Sequence, residues 1–147
     1  MPSEFAIQRI VEFAETDMAG LMHFSNYFRW MEACEAAFYR SLGLPLEVYA
    51  DPGVMAWPRV KVDCQYQAPL HFNDSVDVRL FVKRLGEKSI TYLFRFRRAG
   101  VLTAQGEMTL VCVAVDRTAS GVLTARPLPD ILRAKLEMAP DSAYAAN

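Results

Sequence analysis

Histidine and cysteine are scarce in this chain, and neither sign of charge dominates. Two histidines, His23 and His71, and three cysteines, Cys34, Cys64 and Cys112, occur in 147 residues. The cysteines are odd in number and lack metal-ligand spacing, which argues against a zinc module or a disulfide framework. They read as reduced core residues of a cytosolic protein. Sixteen Lys and Arg against 17 Asp and Glu leave a formal net charge of −1, without the basic excess of a general nucleic-acid binder. No apolar run approaches the roughly 20 residues of a membrane span. The opening MPSEFAIQRIVEF is neither a basic-then-apolar signal peptide nor an Arg/Ser-rich transit peptide. A cytoplasmic protein with no nucleic-acid partner, no membrane span, no metal and no redox cofactor is expected. There is no internal repeat and no linker, so the length predicts one domain over residues 1–137, with 138–147 as a disordered tail.

The chain is 52% hydrophobic and 12% aromatic, ample for one core. Phe5, Ile7, Val11 and Phe13 alternate as in a first strand, broken by Arg9. Tyr27, Trp30, Met31, Cys34, Phe38, Ser41 and Leu42 then recur at helical spacing, with Ser25 as expected N-cap and Gly43 with Pro45 as the stop. Such a helix is about 25 Å long. Three alternating segments follow. Val60, Val62, Cys64 and Tyr66 form the apolar set of the first, Val76, Val78, Leu80 and Val82 that of the second, and Ile90, Tyr92, Phe94 and Phe96 that of the third. Residues 110–115 are apolar on both faces, which predicts a central strand. A short strand over 122–126 and a helix over 128–137 complete the order. One long helix against an antiparallel sheet is an α+β layer architecture. The sheet's remaining face and edges must be covered or paired, so a homodimer or homotetramer is expected.

The chemistry-bearing stretch is residues 13–38, FAETDMAGLMHFSNYFRWMEACEAAF. Asp17 precedes a glycine turn, and the long helix opens directly after it. A carboxylate is thereby set beside unpaired helix N–H groups and the positive end of the helix dipole. A base next to a site that stabilises an oxyanion is what thioester hydrolysis requires. Taken alone, Asp17 reads more readily as a turn or capping residue, since Asp, Gly and Ser gather at turns for local reasons.

Three ordered segments carry a resemblance over about residues 5–130: ETDMAGLMHFSNYFRWMEA at 15–33, QYQAPLHFNDSV at 65–76, and LVCVAVD at 110–116 with RPLP at 126–129. The chain resembles the hotdog-fold acyl-CoA thioesterases of the 4-hydroxybenzoyl-CoA type and is similar to the Tol–Pal-associated acyl-CoA thioesterases. The resemblance implies the hotdog fold, in which a curved antiparallel sheet wraps one long helix. It implies hydrolysis of an acyl-CoA, or acyl carrier protein, thioester to a free acid, with no cofactor beyond the CoA of the substrate. Asp17 would act as general base or nucleophile, and a backbone N–H of Phe24 or Ser25 would hold the thioester oxygen. Tyr27 and Trp30 would line or buttress the acyl site. The Tol–Pal-associated enzymes carry histidine seven residues after the aspartate. Here Phe24 stands there and His23 one position earlier, so His23 is a further candidate for the site, or for a structural hydrogen bond.

Two other placements follow. Residues 83–98 hold Lys83, Arg84, Lys88, Arg95, Arg97 and Arg98 against Glu87. Such a cluster is either a solvated strand face or a place for CoA phosphates, and the resemblance points to Lys88 and Ser89. Glu35 and Glu32 are further candidates, since some hotdog thioesterases use a helical carboxylate, although acidic residues on helices are usually solvated. Two rival functions stay open: a hotdog enoyl-CoA hydratase or dehydratase, although its Asn-Pro after the aspartate is absent here, and a non-catalytic acyl-CoA-binding protein.

Overall fold

The computed structural model describes residues 2–45, 54–116 and 121–145. Nine strands and three helices are present among them: β1 (Glu4–Ile10), a 3-10 turn (Phe13–Glu15), α1 (Ser25–Ser41), β2 (Met55–Ala56), β3 (Arg59–Val62), β4 (Gln65–Tyr66), β5 (Ser75–Leu85), β6 (Ser89–Arg98), β7 (Val101–Val111), β8 (Val113–Asp116), β9 (Val122–Ala125), α2 (Asp130–Arg133) and α3 (Asp141–Ala145). The large sheet runs β1-β5-β6-β7-β3, all antiparallel, with β4 also on β7. A small sheet, β2-β8-β9, stands beside it. The long helix packs on the large sheet, the hotdog arrangement that the resemblance implied.

The helix forms where its apolar stripe recurs. Tyr27, Trp30, Met31, Cys34 and Phe38 are all buried, each large side chain contributing about 1.5–3 kcal/mol. Arg9, which breaks the first strand's alternation, lies over the Trp30 ring at 5.5 Å, a cation–π contact that suits a cation in an apolar face. The helix stops as expected. Gly43 takes φ +67°, its N–H bonds to the Arg40 carbonyl at 3.0 Å, and Leu44 N–H bonds to the Tyr39 carbonyl at 3.2 Å. These are the two bonds of a Schellman motif.

Four expectations need correction. First, the alternating segment 58–66 is two strands. Gly106 of β7 lies under the break, where a Cβ would stand 2.1 Å from the Asp63 carbonyl oxygen. The chain bends where only glycine leaves room. Val60 and Val62 are exposed rather than buried, because a register shift at Arg59 turns that side chain inward to Glu35 (3.0 Å). Second, residues 110–115 are not one strand. Leu110 and Val111 end β7, which is flanked by β6 and β3, Val113–Asp116 form β8, the middle strand of the small sheet, and Cys112 marks the passage from one sheet to the other. Third, the helix expected over 128–137 is one turn, Asp130–Arg133. Glu137 N–H is captured by the Pro2 carbonyl at 3.1 Å. Fourth, residues 138–145, expected to be disordered, lie on the outer sheet face. Ala139 is buried and its N–H reaches the Val82 carbonyl at 2.8 Å. The Tyr144 ring meets Phe81 at 5.9 Å, and Arg95 donates to the Tyr144 carbonyl.

The Gly106 contact supports a stability prediction. Gly106→Ala must displace backbone, not a side-chain tip, at Asp63. Overpacking of this kind costs about 1–3 kcal/mol or more, so urea unfolding of the variant should show a lower midpoint with an unchanged slope. An unchanged midpoint would mean that the break at 63–64 adjusts freely.

Candidate active site

Asp17 sits in a tight turn closed from both sides. Its N–H bonds to the Leu21 carbonyl at 2.8 Å, and its carbonyl accepts Gly20 N–H at 3.0 Å. Gly20 has φ +79°, the left-handed conformation that glycine adopts without strain. One carboxylate oxygen, Oδ1, accepts the N–H groups of Ala19 (2.8 Å) and Leu21 (3.1 Å). Among the described residues the other oxygen has no hydrogen bond. Half of the carboxylate thus holds the turn and half is unengaged.

The turn is fixed to the helix by a residue that local sequence patterns do not single out. Glu15 Oε2 accepts Trp30 Nε1–H at 2.7 Å, and Oε1 accepts Glu12 N–H at 2.9 Å. The Glu15 carbonyl accepts His23 N–H (2.8 Å) and the Asn26 side-chain amide (2.9 Å). Met22 N–H bonds to the Leu70 carbonyl at 2.7 Å, tying the same turn to the segment before β5. The distance from Glu15 to Trp30 in sequence is what hides this contact from periodicity.

At the helix entrance, Ser25 is the first helical residue and not the N-cap. Phe24 precedes it with helical φ and ψ (−54°, −31°) and no side-chain cap. His23 supplies the missing acceptor. Its Nδ1 accepts Ser25 N–H at 3.3 Å and lies 2.7 Å from Ser25 Oγ. The His23 carbonyl accepts Asn26 N–H at 3.0 Å. Ser25 N–H is therefore occupied. Among the described residues no acceptor is hydrogen-bonded to Phe24 N–H.

Asp17, Phe24 and Tyr27 line one cavity of about 340 Å³, closed by Tyr66 and residues 67–70. Tyr66 Oη donates to the Phe24 carbonyl at 3.1 Å. The Tyr27 ring stands edge-on to Tyr66 (4.8 Å) and Phe96 (5.2 Å). Burial pushes the Tyr27 hydroxyl up to about 12, helped by Cys64 and Tyr66, so it stays a neutral donor. His23 and Ser25 are outside the lining of this cavity. A larger groove of about 570 Å³ lies between Asn73 and Arg98. There Arg98 pairs with Asp74 at 3.1 Å, Asp77 accepts from the Gln8 amide at 2.9 Å and Arg97 donates to the Gly100 carbonyl at 3.4 Å, whereas the smaller cavity holds the carboxylate and the unpaired amide together.

Lys88 and Ser89 are not brought to Asp17 within the chain. From Ser89 to Phe96, beneath Tyr27, β6 runs about 23 Å at its rise per residue. Ser89 lines a separate cavity of about 490 Å³ with Lys61, Lys83 and Arg84, and Lys88 is outside that lining. Glu35 is buried and bound by Arg59 at 3.0 and 3.2 Å. Burial raises its carboxyl to about 7 against the opposing pull of Arg59. Glu32 is exposed and 3.9 Å from the same guanidinium. Among the described residues no group of three or more His, Cys, Asp or Glu is placed to hold a metal, and no helix is long and apolar enough to cross a membrane.

A turn carboxylate and an unpaired helix-entrance amide thus line one cavity, on one helix wrapped by an antiparallel sheet, the hotdog fold. The chain belongs to the thioesterase-like superfamily, whose family model matches residues 11–136. A 1,4-dihydroxy-2-naphthoyl-CoA hydrolase of Prochlorococcus marinus (strain NATL1A) is 30% identical over 101 residues, 64% of this chain and 67% of that protein. A gentisyl-coenzyme A thioesterase structure superposes with TM-score 0.75 at 29% identity, covering 89% of this chain and 98% of that one. A 1,4-dihydroxy-2-naphthoyl-CoA thioesterase structure from Synechocystis reaches TM-score 0.80 at 23% identity over 90% and 94% of the two chains, which shows the shared fold.

Proposed function

We propose that this protein hydrolyses an acyl-CoA thioester, with Asp17 acting on the thioester and Phe24 N–H holding the oxyanion. The observation that carries this is the shared cavity of Asp17, with one carboxylate oxygen unengaged, and Phe24, with its amide unpaired. Family membership and the names of the relatives, which are CoA-thioester hydrolases, support the reaction class. Water attacks the thioester carbonyl as Asp17 takes its proton, or Asp17 attacks and water then cleaves the anhydride. In both routes the carbonyl oxygen gains negative charge at the amide, the C–S bond breaks, and the CoA thiolate leaves. One well-placed donor contributes about 3 kcal/mol to such a transition state. The helix dipole adds to it. Tyr66 donates to the Phe24 carbonyl and so fixes the Phe24–Ser25 peptide; Phe24 N–H belongs to the preceding peptide, whose His23 carbonyl is held by Asn26 N–H.

The relatives whose names give an acyl group carry hydroxylated aromatic ones, and the cavity's aromatic lining suits a planar acyl group. The CoA nucleotide is proposed to lie near Ser89 and its basic neighbours. Because β6 separates that cavity from Asp17, this placement calls on a second copy of the chain, in keeping with a homo-oligomer.

The test is steady-state thiol release from benzoyl-, hydroxybenzoyl-, acetyl-, hexanoyl- and palmitoyl-CoA, against an enzyme blank because half-buried Cys64 reacts with thiol reagents more readily than the two buried cysteines. Turnover of at least one acyl class is expected. Tight acyl-CoA binding with no turnover on any of them would favour the non-catalytic binding protein instead.

A further inference from the structure

The cavity beside Asp17 contains two phenols in different states. Tyr66 Oη donates to the Phe24 carbonyl. Tyr27 is only 3% exposed, yet its hydroxyl has no hydrogen-bond partner among the described residues. Among those residues no fully enclosed side-chain polar atom lacks a partner. The Tyr27 hydroxyl is therefore not fully enclosed, and Tyr27 is one of the residues that line the cavity. Its ring is held by two edge-on aromatic contacts, on Tyr66 and Phe96, so the donor cannot swing away to find another acceptor. A nearly buried, unpartnered donor in a largely apolar cavity lowers affinity for a wholly apolar occupant and raises it for one with an acceptor at that point.

We propose that Tyr27 selects the acyl group: its hydroxyl donates a hydrogen bond to a hydroxyl or other oxygen substituent on an aromatic acyl group, so hydroxylated aryl-CoA thioesters are preferred over unsubstituted aryl and alkyl ones. This rests on the hydrolase function proposed above and adds to it the residue that reads the substrate. Tyr27 takes no part in the bond-breaking steps. Its contribution is differential binding of one acyl class.

The experiment compares wild type and Tyr27→Phe in kcat/KM on benzoyl-CoA, hexanoyl-CoA and the 2-, 3- and 4-hydroxybenzoyl-CoA isomers. Wild type should prefer at least one hydroxylated isomer over benzoyl-CoA by about 30-fold. Tyr27→Phe should lose about 30-fold on that isomer and no more than about 3-fold on benzoyl-CoA, so that the preference collapses. Its melting temperature should not fall, because the removed hydroxyl has no partner within the protein. An equal loss on all substrates would place the hydroxyl on the thioester or in a structural role and overturn the proposal. An unchanged preference, or a wild type that favours hexanoyl-CoA, would overturn it too. Dissociation constants of the same thioesters, measured by calorimetry in an Asp17→Asn background with and without Tyr27→Phe, separate this proposal from the hydrolase function. A hydroxyl preference in binding that Tyr27→Phe abolishes, in a wild type with no turnover, sinks the hydrolase alone. Turnover with no hydroxyl preference in rate or binding sinks the role of Tyr27 alone.

Discussion

Asp17→Asn lowers kcat on the best acyl-CoA by at least about a hundredfold and leaves the melting temperature within a degree or two of wild type. The two halves of the carboxylate make this a clean substitution. Oδ1 holds the turn through Ala19 and Leu21 N–H, and the carboxamide oxygen of asparagine accepts the same two bonds. The second oxygen becomes NH₂, which neither takes a proton nor attacks a carbonyl. Asp17→Ala provides the contrast. It removes the turn's acceptor as well, so it should lose both activity and some thermal stability. Equal rates for wild type and Asp17→Asn would remove Asp17 from the chemistry.

The largest stability effect is expected further along α1, at Glu35. Glu35 is 5% exposed and is paired with Arg59, which also donates to the Trp57 carbonyl at 2.9 Å. Removing one member of a buried pair leaves a charge without compensation, typically at a cost of about 3–5 kcal/mol. The pH dependence follows from the direction of the shift. Burial raises the folded-state carboxyl to about 7 from an ordinary 4.5. Between these values the folded protein holds a proton that the unfolded chain has released, so stability falls as pH rises through the window. Below it both states are protonated, and above it both are ionised with the cost of burial fully present, on the order of 3 kcal/mol. In Arg59→Ala the group that pulled the carboxyl down is gone, and the window extends upward. Denaturant unfolding should therefore show a large deficit for Arg59→Ala at pH 8 that shrinks markedly at pH 5. Glu35→Gln should flatten the wild-type slope between pH 5 and 7. A deficit of the same size at both pH values would mean that Arg59 matters through packing alone.

The two ends of α1 differ in what local patterns reveal. The stripe from Tyr27 to Phe38 and the stop at Gly43 follow from helical spacing and from one residue's tolerance of positive φ, both readable within a few residues. Asp17 before the helix was legible in the same way. The N-cap was not. Ser25 has the preferred residue type, but His23 provides the acceptor from two residues earlier, and histidine has no strong capping preference that would mark it. β3 misled for a related reason. Alternation predicts which residues share a face, not which face turns inward, and at an edge strand the decision went to Arg59 because the buried carboxylate is 24 positions away.

By itself the sequence determined the α+β order, the buried stripe of the long helix, the position of Asp17 just before the helix and the absence of any charge bias or apolar span. These are properties of neighbours two, three or four residues apart, where backbone periodicity alone sets the geometry. Only the tertiary structure decided which half of Asp17 is unengaged, that Phe24 N–H and not Ser25 N–H is unpaired, that Tyr27 presents an unpartnered hydroxyl, and that residues 138–145 cover Phe81. It also separated Ser89 from Asp17. The turn and the helix entrance bond over two to four residues, Asp17 to Ala19 and Leu21 and His23 to Ser25, but what holds them in place and what covers Phe81 are contacts across 15 to 63 positions of chain, Glu15 with Trp30, Phe24 with Tyr66 and Phe81 with Tyr144. Such pairs form only once the sheet has curved around the helix, and the spacing of residues along the chain holds no record of them.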